Sequence, residues 1–217
     1  MALITSEFPK PPRSYKDLEE LGRVRLSKNF YMREFLYSEI ANFYGRPNIP
    51  DNRKLTIEVG KKLCDELLEP LNATFGRIAV RSAYRSPDVN NFGNEKGHSC
   101  ASNESNYAGH IWDVPDKVGV GATACVVIPW FADRYKDGDG ADWRALAYWI
   151  HNHLPYSDLY FFKNLCAFNI TWHKEPSRCI RSTIGPKKEI PDGAPPDPAL
   201  AEFYADFPPY QRGGWEC

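Results

Sequence analysis

The chain has 217 residues, of which 42% are hydrophobic and 25% charged, and its formal net charge is −1. That length suits one domain with a sizeable core, and the composition is that of a folded globular protein. The near-neutral charge gives no electrostatic case for binding nucleic acid or an anionic membrane. No run of about 18 apolar residues exists, so no membrane span is expected. The opening segment, Met1 to Leu18, lacks a basic region followed by an apolar one. No signal peptide is therefore expected, and a cytoplasmic location is the default. The six cysteines, at 64, 100, 125, 166, 179 and 217, form no CxxC pair. Without a secretory signal they are expected to be free, buried thiols. An aromatic content of 14% suits either an aromatic core or a sugar- or peptide-binding surface.

In chain order, residues 1–25 read as a polar arm with a short helical patch from Tyr15 to Leu21. Met32 to Tyr44 predicts a helix, with Phe35, Leu36, Ile40 and Phe43 at helical spacing. After a loop, Asp51 or Asn52 is positioned to cap the clearest helix, whose stripe is Leu55, Val59, Leu63, Leu67 and Leu71. Gly60 should weaken that helix by roughly 1 kcal/mol, and Pro70 should kink or end it. Ile78 and Val80 alternate with polar neighbours, which predicts a strand. The chain then turns at Tyr84-Arg85-Ser86-Pro87 and runs through a polar loop from Asn90 to Asn106. A second strand is expected to open near Gly109 and to carry Asp113 near its end.

Ala122 to Ile128 fits a strand or a helix start, and periodicity does not decide between them. Lys136 to Asp142 is a turn; its DxDG fragment lacks the remaining ligands of a calcium loop. Trp143 to His153 predicts a helix. Asp158 to Lys163 and Cys166 to His173 predict a pair of strands. The last 32 residues hold seven prolines and predict a tail that wraps the domain or stays mobile. The expected division is an arm over 1–25, a domain over 26–180 and a proline-rich tail over 181–217.

The stretch from Phe75 to Asp113 carries a family resemblance. Tyr84-Arg85-Ser86-Pro87 and Asn90, followed by Gly109-x-x-x-Asp113, are similar to the D-Ala-D-Ala carboxypeptidase and L-alanyl-D-glutamate endopeptidase family of zinc peptidases. Leu26-Ser27-Lys28-Asn29-Phe30, Glu34-Phe35 and Ser38-Glu39 resemble that family's opening segment. The resemblance spans roughly residues 26–173. It implies an α+β, hedgehog-like fold with a small, mainly antiparallel sheet and helices on one side. The family's S-x-H-x-x-G-x-A-x-D motif, laid on Gly109 and Asp113, puts Asn106 at a zinc-ligand histidine and Glu104 at the serine. The late-strand histidine falls on Asn169, and no acid lies between Asp158 and Asn169. Carboxamides are poor zinc ligands, so the inherited metal site is expected to be lost and no cofactor is expected.

From the resemblance, Asp113 is the first candidate catalytic group, against a structural reading as a strand cap. His173 shares strand parity with Asn169 and is the second. Arg85 and Ser86 are candidate substrate-binding residues, since a guanidinium can hold a carboxylate bidentately. Asn106 and Asn169 are expected to hydrogen-bond Asp113, a ligand or water. Asp113, Asn106, Asn169 and Arg85 are expected in one pocket. A rebuilt zinc site would use Asp113, His173 and His98. Strand alternation turns His110 away from Asp113. Cys100 beside His98 allows a nucleophile, though a loop thiol without a role is the plainer reading.

Three functions stay open. The first is a metal-free, peptidase-like domain that binds or acts on a peptidoglycan stem peptide or a similar small carboxylate. The second is an active zinc peptidase, a cell-wall hydrolase with a rebuilt site. The third is a metal-free enzyme of other chemistry in the same cleft. A phage-encoded protein acting on the cell wall after release would share this sequence profile.

Overall fold

The structure is a computed structural model that describes residues 14–185 and 204–214. Its centre is one mixed sheet of five strands: β1 (Ala79–Ser82), β2 (Gly121–Val127), β3 (Asp158–Phe161), β4 (Phe168–His173) and β5 (Cys179–Ser182). Their spatial order is β1-β2-β4-β3-β5. Three pairings are antiparallel, and β5 joins the edge of β3 in parallel. The chain is therefore α+β. The ambiguous apolar run is a strand, β2, and all seven of its residues are buried, which hides the alternation that sequence reading relies on.

Register gives the sheet two unlike faces, because side chains alternate along each strand. Ala122, Ala124, Val126, Leu159, Phe161, Phe168, Ile170 and Ile180 point into the core with no exposed surface. The alternate set places Cys125 opposite Asn169, Asn169 opposite Tyr160, and Thr123 opposite Thr171. Thr123 and Thr171 share a 2.8 Å hydroxyl contact across the strands.

The apolar face is covered by helices. Helix α4 (Arg53–Leu63) begins at Asn52, whose side chain accepts the Leu55 N–H at 3.1 Å, and it packs on β2 and β4. Gly60, a weak helix former, sits at its tightest contact. A Cβ there would lie 3.0 Å from the Trp112 ring and 3.3 Å from Leu26. Pro70 does not end this helix. A π-helical turn, Cys64–Leu68, follows α4 and runs directly into α5 (Glu69–Phe75), so the helical path continues through Pro70, which stands at the second position of α5. Buried Glu69 accepts from Ser27 Oγ, Asn29 N and Asn29 Nδ2 at 2.6–2.7 Å, which fastens the Leu26–Phe30 segment to the long helix.

The helix expected over Met32–Tyr44 is two, α2 (Met32–Leu36) and α3 (Glu39–Tyr44). The break comes where Ser38 turns extended and caps α3 through the Ala41 N–H. Trp143–His153, by contrast, forms one helix as expected, and the Trp143 ring packs tilted against Phe161 of β3 with centroids 5.0 Å apart. Past residue 180, β5 continues to Ser182, so the sheet crosses the expected domain boundary. Residues 204–214 lie on the core: Phe207 packs on Trp130 at 5.1 Å, and Gln211 N donates to Thr74 Oγ1. The rest of the tail and residues 1–13 lie outside the described residues. No described helix is long and apolar enough to cross a membrane.

Candidate functional site

Two expectations near the centre of the sequence require correction. The segment after Ser86 is not a long structureless loop. Ser86 accepts the Val89 N–H, Pro87 opens the first turn, and helix α6 (Pro87–Glu95) follows; a second short helix, α7, covers Asn103–Asn106. Ser-Pro here starts a helix rather than a turn. The segment carrying Gly109 and Asp113 is a compact turn, not a strand; its only pairing is an isolated bridge between Tyr107 and Ile111. Gly109 O accepts from Thr123 N and His110 O from Arg85 N, so the turn is strapped across β2 and the chain after β1. The approach is close: a Cβ at Gly121 would lie 2.4 Å from the Ala108 carbonyl.

In a turn, strand parity no longer decides where side chains go. Asp113 is buried behind the turn, toward the start of α4. Its Oδ2 accepts from Asp51 N at 2.8 Å and Asn52 N at 3.4 Å, and the Tyr84 hydroxyl stands 3.2 Å from both oxygens. Burial raises its pKa, and the backbone donors from Asp51 and Asn52 oppose that rise. Burial, with the neighbouring carboxylate, also raises the Tyr84 phenol. This is a carboxylate that docks the start of a helix.

The polar face of the sheet is where the other candidates meet. Two adjoining depressions cross it, of about 530 and 270 Å3, and both include Asn169 and His110. The larger also holds Arg81, Arg85, His98, Cys125, Lys163 and Glu39. The smaller holds Asn106, Thr123, Thr171, His173, Asp116 and Asp158. Asn169 thus lies with Arg85 on one side and with Asn106 on the other, while Asp113 lines neither depression. Ser86 is also outside them, and its hydroxyl is spent on the α6 cap.

Arg85 is the most telling group. Its guanidinium is largely buried, Nη1 donates to Cys100 Sγ at 2.6 Å, and Nε is buried with no partner. It makes no ion pair among the described residues. Burial lowers its pKa, yet a guanidinium stays charged at neutral pH. The backbone that carries it is rigid. Asn48 Oδ1 accepts from Ser86 N at 2.7 Å, and Asn48 Nδ2 donates to Leu36 O and Tyr84 O. Beside it, His110 donates from Nδ1 to Ala83 O at 2.7 Å; burial and the Arg85 charge hold its pKa at about 3. The imidazole is therefore neutral. Cys125 is pushed up to about 11, chiefly by burial, and is a thiol rather than a thiolate.

Asn106 does not reach Asp113. Its Nδ2 donates to Ala101 O and Ser102 O, holding its own loop. His98 sits at the rim with Nε2 2.9 Å from the Tyr44 hydroxyl. His173 lies at the far end, with Nε2 3.5 Å from Asp116 Oδ2. The rebuilt zinc triad of Asp113, His173 and His98 is thus divided among three places. Among the described residues, no three His, Cys, Asp or Glu side chains are grouped to hold a metal ion. The donor set does not fit zinc.

Sequence reading missed Arg81, whose alternation with Val80 was a usable signal for the polar face, and Asp116, for which no signal existed. It also set His110 aside, although His110 is the residue of that turn that faces the cleft. Cys64, Cys100, Cys125 and Cys166 are free thiols. A further depression of about 340 Å3 lies over the Asp137–Asp142 turn, where Asp142 and Arg144 pair with each other. No protein-family model, curated protein or solved structure matches this chain.

Proposed function

We propose that the polar face of the sheet is a binding cleft for a peptide carboxylate, in a metal-free domain of the D-Ala-D-Ala carboxypeptidase type. The motifs Tyr84-Arg85-Ser86-Pro87 and Gly109-x-x-x-Asp113 support the kinship, as does a largely antiparallel sheet with one helix-covered face and one open polar face. A peptidoglycan stem peptide ending in D-alanine is the substrate class that this kinship favours.

The observation that carries the reading is the unpaired Arg85 guanidinium in the larger depression. A buried cation is costly without a compensating charge or a full set of hydrogen bonds. A ligand carboxylate supplies both, bidentately. Arg81 and Lys163 add positive charge around it, against the single carboxylate of Glu39. Binding is favoured over catalysis because the imidazole beside Arg85 is held neutral at about 3, which makes it a weak base at neutral pH.

Calorimetric titration with N-acetyl-Lys-D-Ala-D-Ala, and with the same peptide as its C-terminal amide, tests this. The free carboxylate should bind, and amidation or Arg85→Gln should weaken binding by about tenfold or more, the worth of a charge-assisted hydrogen bond. Equal affinity for acid and amide would rule the reading out.

A further inference from the structure

Arg85, His110 and Asn169 meet in the larger depression, and His110 and Asn169 also line the smaller one. Each keeps hydrogen-bonding capacity that the described residues do not use. For Arg85 it is the buried Nε. We infer that the cleft reads the last peptide bond of its ligand, with His110 Nε2 accepting that amide's N–H while Arg85 holds the carboxylate. Resting on the carboxylate reading, this adds a second, uncharged point of recognition across the same α-carbon.

The tautomer of His110 is set by its surroundings. Nδ1 lies 2.7 Å from the Ala83 carbonyl oxygen, which has no proton to give, so Nδ1 carries the ring proton. No N–H among the described residues competes for Nδ1. Burial and the Arg85 charge keep a second proton off the ring, whose pKa is held at about 3. Nε2 is therefore an open acceptor, and no described residue donates to it. The cation beside it is fixed in place, because Arg85 N donates to His110 O at 2.8 Å.

A ligand that suits both groups must offer an anion and a donor close together. The last residue of a peptide does so, since its carboxylate and its amide N–H are attached to one α-carbon. An ester at that position keeps the carboxylate but sets an oxygen lone pair against the Nε2 lone pair. Asn169 adds the other half of the bond. Its carboxamide stands on β4 across from Cys125 and makes no side-chain hydrogen bond with the described residues. Its NH2 group can donate to the carbonyl of the same amide. All three contacts go to backbone atoms, so the class selected is the C-terminal peptide or N-acyl amino acid, and the class rejected is the 2-acyloxy acid.

The test is calorimetric titration with N-acetyl-Lys-D-Ala-D-Ala and with the depsipeptide in which an ester oxygen replaces the last amide nitrogen. The amide should bind at least about tenfold more tightly, since the ester loses one hydrogen bond and leaves an acceptor unpaired. His110→Asn should erase that ratio: its carboxamide can still donate to Ala83 O but offers nothing at the Nε2 position. His110→Phe, which removes both nitrogens, serves if the first variant does not fold. In the unsubstituted protein, nitrogen-15 NMR gives a readout that a structural role would not move. The Nε2 resonance should shift on saturation with the amide and hold on saturation with the ester. Equal binding of amide and ester, with C-terminal amidation still harmful, overturns this inference and leaves the carboxylate reading standing. A ratio that persists without His110 overturns it likewise. No binding by either ligand, or indifference to C-terminal amidation, overturns both.

Discussion

His110 and Asp113 stand three residues apart in one turn, and their side chains serve opposite sides of the molecule. Asp113 points back toward α4, where two backbone N–H groups and a tyrosine hydroxyl surround it. Its network is complete, so it has nothing left to offer a ligand. His110 points to the open face, beside an arginine that has no carboxylate partner among the described residues. The contrast teaches that burial and charge alone do not mark a site; what marks it is hydrogen-bonding capacity left unused. Asp113 has a raised pKa and a satisfied environment, whereas Arg85 has a lowered pKa and an empty buried donor.

The largest effect should separate the two sides by stability. Asp113→Ala leaves Asp51 N, Asn52 N and the Tyr84 hydroxyl without their acceptor, so urea unfolding should show a loss of about 4 kcal/mol. Peptide affinity of the fraction that remains folded should be unchanged. If binding vanished while stability held, Asp113 would belong to the site after all.

The next effect is one of pH. His110 titrates at about 3 in the folded chain and near 6.5 when unfolded. The unfolded state therefore binds the extra proton in that window, and stability rises with pH across it. Acidification from about 6.5 toward 3 should cost about 1.4 kcal/mol for each pH unit. His110→Asn should flatten that part of the curve, as followed by denaturant midpoints at pH 7, 5.5 and 4.5. An unchanged slope would mean that the imidazole is solvated.

Smaller in stability, but large in binding, is Arg85→Gln. It should weaken acid-terminated peptides by about tenfold or more while changing stability by less than about 1 kcal/mol, because the lost cation was itself uncompensated. The smallest effect concerns metal. Dialysis against EDTA should move the melting temperature by less than about 1 °C, since removal of a bound structural ion would lower it by mass action. A larger drop would show that the described donors bind a metal despite their separation.

Sequence alone determined much of the scaffold. The leucine stripe from Leu55 to Leu71 sets the long helix, because an apolar stripe sustained over about five turns gives one continuous face to bury. Trp143–His153 and the β3–β4 pair were legible for the same reason of period, and Asn52 was legible as a cap. The residue types around Arg85 singled that stretch out, and the structure places Arg85 in the larger depression.

Only the tertiary structure decided the rest. Whether Gly109–Asp113 is a strand or a turn depends on its hydrogen bonds to β2 and to Arg85, which are distant in sequence. That choice reverses which of His110 and Asp113 faces the cleft, since alternation holds in a strand and fails in a turn. Asp116 acquires its meaning only from His173, 57 positions later in the chain, which pairing of β2 with β4 brings beside it. Local residue types specify helices and chemistry, whereas long-range register specifies which chemistry shares a surface.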